Sequence, residues 1–500
     1  MILARTRLIR AHTTTARSTT NTTNSYTKFL ATFVNNSVVQ NNNCNTDNRT
    51  MHFSTSTRTV AFAAALATTT TTTSPSLQFA HAFAPILSTT STMPSSFSSS
   101  SLFSTTNTNT DDADGTTTQY ADVARYCTEH PSNNIPPHIA ALVGRGLHTK
   151  ENHPIGIVRA KIQEYFHSLE DGDKYQIFDA EDPIVTTTQC FDDLRIDRDH
   201  PGRSPSDTYY LTDEKVLRTH TSAHQSQHLR EGYTQFLCAG DVYRRDEIDA
   251  SHYPAFHQLE GVKLFPSASM TAAHGFTDAD WLASPECHVI AEDLKATLEG
   301  LMDYLFGPVE KKWSEDYFPF TEPSFECEIL YQGEWLEVLG CGVIHTEVLE
   351  RAGIDAPGTD IRGWAFGLGL ERLAMILFGI PDIRLFWTDD VRFTNQFEAG
   401  QISTFKPYSK YPPCYKDIAF WIPDGFVEND FFELARGIGG DLIETIKCTD
   451  TFTNPKTEKT SQCYRITYRS MDRSLTDDEI NTLQNNLRDA SETSLQLEVR

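Results

Sequence analysis

The chain has 500 residues with 67 Asp and Glu against 42 Lys and Arg, a formal charge of −25, which excludes a globally basic nucleic-acid binder and obliges any RNA partner to meet a local basic face. Ten scattered cysteines, with no C-x-x-C pair and no Cys/His cluster at zinc spacing, exclude a disulfide scaffold and a structural zinc site and leave packed thiols. The apolar run from Val60 to Ala67 is too short to span a bilayer, so no membrane segment is expected.

Residues 1–118 are dominated by Ser, Thr and Asn, a composition that cannot bury enough apolar surface to offset its ordering entropy. Up to Thr110 the only acid is Asp47, while Arg5, Arg7, Arg10, Arg17, Lys28, Arg49 and Arg58 are basic. This is the make-up of a disordered organelle-targeting presequence. Inside it, Met51 opens a short basic region, a brief apolar core and the stretch AFAP. That segment resembles a secretory-type signal followed by the Phe-centred cleavage signature of proteins sent to plastids of secondary origin. Two readings stand: one long mitochondrial presequence, or a start at Met1 for mitochondria and a start at Met51 for plastids.

The first helix is expected after His153-Pro154, where Ile155, Val158, Ile162, Phe166 and Leu169 form one apolar stripe. Tyr175 to Thr188 reads as extended. Thr234 to Val242 and Ala255 to Phe265 read as two strands of a hairpin with an open, mobile tip. Ile290 to Leu305 is helical by spacing, and FECEILY, EWLEVLGCGVI and GWAFGLGL suit buried strands. The last passes into ERLAMILFGI, a helix that Pro381 should end. The C-terminal stretches DIAFWI, NDFFELARGIG, DLIETIKCTDTF, SQCYRITYR, TDDEINTLQNNLRDASET and LQLEV alternate as βαββαβ, the order of a ferredoxin-like sandwich.

The hairpin carries unusual chemistry. Alternate strand side chains share a face, so Phe256, Gln258 and Glu260 point one way, with Arg244 across the ladder. An aromatic ring, an amide, an anion and a guanidinium suit a ligand with a heterocycle, a phosphate and an ammonium group, although alone they read more readily as a solvated surface hairpin. GLGLER, Gly367 to Arg372, lets a backbone approach closely and then presents an arginine at a helix start. Phe256 and Arg372 together could sandwich an adenine.

At this point GDVYRRDEIDASHYPAFHQLE resembles motif 2, and GLGLERLAMILFG motif 3, of class II aminoacyl-tRNA synthetases. With LRTHTSAHQ, YFPFTEPSFE and EWLEVLGCG, the match narrows to the organellar, single-chain phenylalanyl-tRNA synthetases and covers nearly all of the chain after the presequence. The resemblance implies an α/β protein in the broad sense, more narrowly α+β: the class II synthetase antiparallel sheet flanked by helices, plus a C-terminal ferredoxin-like βαββαβ domain. It implies a catalytic domain over 119–390, a linker over 391–407 and an anticodon-binding domain over 408–500. Arg244 and Arg372 would be catalytic, and Ser251, His252, Tyr253, Phe256 and Glu337 would join them around ATP. Glu337 is also the candidate Mg²⁺ ligand, with a strand carboxylate paired to an arginine as the other reading. L-Phenylalanine would meet His220, Ser222, Ala223, His224, Gln225, Gln258, Leu259, Glu260, Phe318, Phe320, Ala365 and Phe366. Arg245, on the other face, would pair with Asp246 or Glu247. Lys456, Lys459, Arg465, Arg469 and Arg473 would supply the local basic face for tRNA(Phe).

The reaction the resemblance implies is attack of an already ionised carboxylate on the α-phosphorus of ATP, so no general base is needed and His220 beside Ser222 is read as substrate-binding rather than as part of a triad. The chain has no room for a separate editing domain and no coiled-coil segment, so a monomer without hydrolytic proofreading is expected. A ligase adenylating another carboxylic acid and an inactive RNA-binding paralogue are the competing readings.

Overall fold

The computed structural model describes residues 123–265, 282, 284–354, 361–408 and 410–500. The presequence, both its proposed starts and the boundary at residue 118 lie outside them. Strands β1 (Gln176–Phe178), β5 (Gln235–Tyr243), β6 (Ala255–Phe265), β7 (Lys311–Phe318), β8 (Thr321–Tyr331), β9 (Glu334–Ile344) and β10 (Arg362–Gly369) form one sheet in the order β1-β5-β6-β10-β9-β8-β7. Only the β1·β5 pair is parallel. Strands β2 (Ile184–Thr186), β3 (Tyr210–Thr212) and β4 (Lys215–Leu217) make a small separate sheet within the stretch read only as extended from Tyr175 to Thr188 and the segment after it.

Helix α1 (Pro154–His167) starts where its sequence requires: Pro154 sits in the first turn and the His153 ring accepts the Ile155 amide. Its stripe of Ile155, Val158, Ile162 and Phe166 is fully buried. Helix α2 (Pro285–Phe306) begins five residues before the expected Ile290, because Ser284 caps it and Pro285 opens it. Both helices cover one face of the sheet: Phe166 stacks on Phe366 of β10 at 5.4 Å, and the Trp364 indole donates to Asp293 of α2 at 2.7 Å. Helix α3 (Leu370–Phe378) follows β10 with no loop. It stops at Gly379, in the left-handed conformation (φ 67°), two residues before Pro381.

The C-terminal unit is built from β11 (Cys414–Trp421), α4 (Glu428–Gly439), β12 (Ile443–Thr453), β13 (Thr460–Tyr468), α5 (Asp477–Ser494) and β14 (Glu498–Val499), with sheet order β12-β13-β11-β14. This is the ferredoxin-like arrangement expected from the sequence. It has its own core of Ile418, Phe420, Phe431, Tyr464, Ile466 and their neighbours.

The β5–β6 hairpin tip is not open. Ile248 from the tip is buried in the ferredoxin core, and its carbonyl accepts from the Ile446 amide at 3.0 Å. Arg436 of α4 donates to the carbonyls of Asp246 and Glu247, and Asn429 to that of Arg245. The tip's backbone acceptors are thus satisfied by a unit nearly two hundred residues later, a contact that local composition could not reveal. Among the described residues all nine cysteines are unpaired, and no helix is long and apolar enough to cross a membrane.

Candidate active site

Register decides which side chains face the same space. Gly369 of β10 lies opposite Gln258 of β6, and Gly367 opposite Glu260. Gly340 and Gly342 of β9 lie opposite Gly367 and Ala365, while Gly240 of β5 lies opposite Gln258. One face of the central sheet is therefore a floor of glycines from which Phe256, Gln258 and Glu260 rise. A Cβ on Gly369 would meet nothing within 4 Å, so this floor opens onto free space. A Cβ on Gly240 would lie 2.1 Å from the Arg218 guanidinium, which only glycine lets rest against the strand. The contribution of Gly240, Gly340 and Gly342 was not read from the sequence; the signal was there in LGCG and CAGD, but it becomes legible only with the register.

Ala365 shares the glycine floor, and its neighbour Phe366 does not. Phe366 pairs with Gly261 and stacks on Phe166 of α1, so it faces the helices. Leu259 likewise alternates to the helix side, opposite Leu368. The structure separates these two from the other residues expected around the amino acid, for the reason that adjacent strand positions project oppositely.

The polar wall comes from Thr221–His224, a 3₁₀ turn running into a short helix at Gln225, with His220, Ser222, Ala223, His224 and Gln225 all buried. Arg218 braces it. Its Nε donates to the Asp241 carbonyl at 2.7 Å, its Nη2 to the Asp241 carboxylate at 2.8 Å, and its Nη1 lies 3.0 Å from His224 Nε2. Burial opposes the charge on Asp241 most strongly, but Arg218, His257 and the Tyr243 hydroxyl together outweigh it and the carboxyl stays down at about 2. Burial, then the Arg218 cation, pull His224 down to about 3, so it is a neutral strut at physiological pH.

Arg244, from the end of β5, donates through Nε to the Thr219 carbonyl at 2.8 Å, and its guanidinium lies 4.9 Å from the centre of the Phe256 ring. Arg244 thus covers Phe256. Burial lowers the Arg244 guanidinium to about 10, leaving it cationic at neutral pH. Its Nη2, both ring nitrogens of His220 and Glu260 Oε1 are buried and have no hydrogen-bond partner among the described residues. Burial pushes Glu260 up to about 7, only partly opposed by its hydrogen bond with Ser222. Unmet polar atoms at this density are costly unless a ligand completes them.

At the start of α3, Arg372 donates to the Glu337 carbonyl at 3.1 Å and lies 3.5 Å from its carboxylate. Glu337 and Arg372 thus form an ion pair. Asp249 accepts from Ser251 and from the His252 ring at 2.9 Å. Burial opposes charge on His252, but Asp249, with Asp246 and Glu247, raises it to about 9, so a cation stands at the rim. Tyr253 donates to Asp441 of the C-terminal unit at 3.0 Å. Arg245 is structural, as expected, but its carboxylate partners are Asp430 at 3.0 Å and Glu433 at 3.9 Å, on α4, rather than its neighbours in sequence. Phe318 and Phe320 are buried with ring centres 6.2 Å apart and planes 21° from parallel, and Arg195 holds the Pro319 carbonyl between them at 2.7 Å.

Of the five cations expected to meet RNA, four are paired: Lys459 with Glu498, Arg465 with Asp417, Arg469 with Glu444 and Arg473 with Glu479. Lys456 has no carboxylate partner among the described residues. The strand pairing puts Trp421 and Phe452 opposite Ser461 on the face away from α4 and α5, with the Arg500 guanidinium 4.8 Å from the Trp421 ring, a cluster not anticipated from sequence.

A mainly antiparallel sheet with a glycine floor, a motif 2 hairpin and an arginine opening the helix after its last central strand defines the core of a class II aminoacyl-tRNA synthetase. Residues 139–278 and 267–397 match the model for the class II core domain of tRNA synthetases (F), and 409–500 the ferredoxin-fold anticodon binding domain. The chloroplastic/mitochondrial phenylalanine–tRNA ligase of Arabidopsis thaliana is 52% identical over 375 residues, covering 74% of this chain and 84% of that protein. The mitochondrial phenylalanine–tRNA ligases of Dictyostelium discoideum (47% over 412 residues, 74% of this chain and 90% of that protein covered) and Saccharomyces cerevisiae (40% over 430 residues, 72% and 90% covered) are also similar. The chain belongs to the family of organellar phenylalanine–tRNA ligases.

Proposed function

We propose that this enzyme activates L-phenylalanine with ATP and transfers it to tRNA(Phe). One observation carries the reading at the level of the site: among the described residues, Glu260 Oε1, both His220 nitrogens and Arg244 Nη2 are buried without hydrogen-bond partners beside a glycine floor. An amino acid's ammonium group satisfies Glu260 with Gln258, and its carboxylate with the α-phosphate satisfies Arg244. The carboxylate oxygen attacks the α-phosphorus, a mixed anhydride forms, and pyrophosphate leaves with the electron pair of the broken P–O bond. A hydroxyl of the terminal ribose of tRNA then attacks the carbonyl carbon and AMP departs. The protein aligns two anions and offsets the charge building on phosphorus with preorganised cations.

Arg372 and Phe256 would hold the adenine, so Arg244 has to leave the Phe256 ring as nucleotide enters. Ser251, His252 and Tyr253 would line the outer phosphates. The benzyl side chain would pack edge to face against Phe318 and Phe320 toward Ala365, and Ala223 and Gln225 would close the pocket beside Ser222. Among the described residues there is no group of three or more His, Cys, Asp or Glu that could hold a metal ion. A lone carboxylate at Glu337 fits Mg²⁺ that arrives on the phosphates of ATP. The segmentation into a catalytic domain (119–390), linker (391–407) and anticodon-binding domain (408–500), work as a monomer, and import into mitochondria and also plastids complete the proposal.

The decisive experiment is ATP–pyrophosphate exchange with each of the twenty amino acids, using protein trimmed to about residue 118. Phenylalanine should stand alone at high rate and Arg372→Ala should abolish it. Exchange driven best by another amino acid, or unaffected by R372A, would overturn the assignment.

A further inference from the structure

The β6·β10 ladder ends at Gln258 and Gly369, because the chain turns there into α3. The next amide on β6, that of His257, would be left facing the space where β10 has stopped. Glu371 fills it. Its Oε2 accepts the His257 backbone N–H at 2.7 Å and its Oε1 lies 2.7 Å from His257 Nδ1, a carboxylate that can only accept bridging both donors of one residue. Both side chains are buried, at 0% and 3% exposure. The His257 ring is wedged between His148, 5.2 Å away, and Trp387, 5.4 Å away and nearly parallel, and its Nε2 has no hydrogen-bond partner among the described residues, so within them Glu371 supplies the ring's side-chain hydrogen bond.

The residues on either side give this pair its consequence. His257 lies between Phe256 and Gln258, and Glu371 directly precedes Arg372. We infer that the Glu371–His257 pair is a positioning latch that sets the gap between the Phe256 ring and the Arg372 guanidinium, and so the fit of the ATP base. This rests on the nucleotide roles proposed above for Phe256 and Arg372. The latch works from beneath the sheet, since His257 alternates to the helix side while Phe256 and Gln258 face the substrate. Neither Glu371 nor His257 touches a reactant. The benzyl slot of Phe318 and Phe320 lies on the far side of β10 and β9, so the latch acts on the nucleotide more than on the amino-acid side chain.

The test separates ATP from phenylalanine in pyrophosphate exchange by the full chain. Glu371→Ala should raise KM for ATP about ten-fold, with kcat falling as well, while KM for phenylalanine stays within about two-fold, since an ångström of misplacement is worth up to about a hundred-fold in rate. His257→Leu should do the same. His257→Asn, whose amide nitrogen sits close to where Nδ1 lies, should restore most of the ATP KM relative to H257L. The asparagine–leucine comparison decides even if E371A fails to fold. An unchanged ATP KM in H257L, an equal rise for both substrates, or H257N no better than H257L would overturn the latch. Wild-type exchange that ignores phenylalanine would instead sink the functional reading beneath it.

Discussion

Glu260 is the residue whose chemistry most depends on what binds beside it. Burial raises it to about 7 in the free enzyme, so at pH 6 most of it is protonated and cannot pair with an ammonium group. With the ammonium-binding role proposed for Glu260, phenylalanine would bind the carboxylate form and its charge would hold the proton off. Affinity should therefore be full above pH about 8 and decline below 7, approaching ten-fold per pH unit. Measuring kcat/KM for phenylalanine in exchange from pH 5.5 to 8.5 tests this, with Glu260→Gln as the control whose low activity should lack that limb. A flat wild-type profile would place the pH-sensitive group elsewhere. A second expectation concerns Phe318 and Phe320. An apolar slot rejects an added hydroxyl by only about a hundred-fold, so tyrosine should drive exchange at about a hundredth of the phenylalanine kcat/KM. Discrimination beyond about ten thousand-fold would require a polar group that the slot does not show.

At the scale of elements, the motif 2 hairpin and α4 hold one another. Glu433 of α4 lies 3.9 Å from Arg245 of the hairpin and 2.8 Å from His138 Nε2, and accepts from the Tyr209 hydroxyl at 2.8 Å and from Arg436 at 3.1 Å. Burial opposes its charge, but His138, then Arg436 and Tyr209, outweigh it and hold the carboxyl at about 2. A folded value below the ordinary one of about 4.5 means stability that is fully present above pH 4.5 and lost as pH falls toward 2. Glu433→Gln should cost about 3 kcal/mol at pH 7, the range for removing one partner of a buried ion pair, and should lessen the loss between pH 4.5 and 2. Urea unfolding at pH 7 and pH 3 reads both, and equal sensitivity of wild type and E433Q to acid would refute the linkage. None of these partners was visible in sequence, because His138, Tyr209 and Glu433 are separated by many tens of residues. What was visible followed from periodicity. The stripe of α1, the alternation of Phe256, Gln258 and Glu260, and the βαββαβ order are local patterns, and each reappears as structure. Alternation also held the means to place Phe366 and Leu259 on the helix side. Their neighbours Ala365 and Gln258 could not share that face, and grouping them by motif had overridden the rule. The three-stranded sheet of β2, β3 and β4 escaped notice because strands of three residues are too short to show a period.

Over the whole molecule, an acidic chain has to bind a polyanion. Four of the five cations assigned to that task are already neutralised by Glu498, Asp417, Glu444 and Glu479, so a phosphate has to displace a carboxylate at each. These exchanges are weaker than fresh pairings, since an exposed pair contributes only about 0–1 kcal/mol and its loss offsets part of the gain. Lys456 alone of the five has no carboxylate partner to give up among the described residues. Arg469 is a poor probe, because its partner Glu444 lies 3.8 Å from Arg384 and a reversal there would disturb the contact with the catalytic core as well as any RNA. Lys456→Glu and Arg465→Glu, singly and together, avoid that contact. If phosphates meet these side chains, KM for tRNA should rise with each reversal, and the slope of log affinity against log salt should shrink by about one per lost contact. Pyrophosphate exchange, which needs no tRNA, provides the reference against which aminoacylation is scored. The Trp421, Phe452 and Arg500 cluster gives the complementary case: stacking on a base tolerates salt, so Trp421→Ala should weaken tRNA binding by about 1–3 kcal/mol with the salt slope unchanged. Aminoacylation that ignores K456E/R465E while responding to W421A would move recognition from charge to stacking, and indifference to all three would take tRNA off this face of the C-terminal sheet.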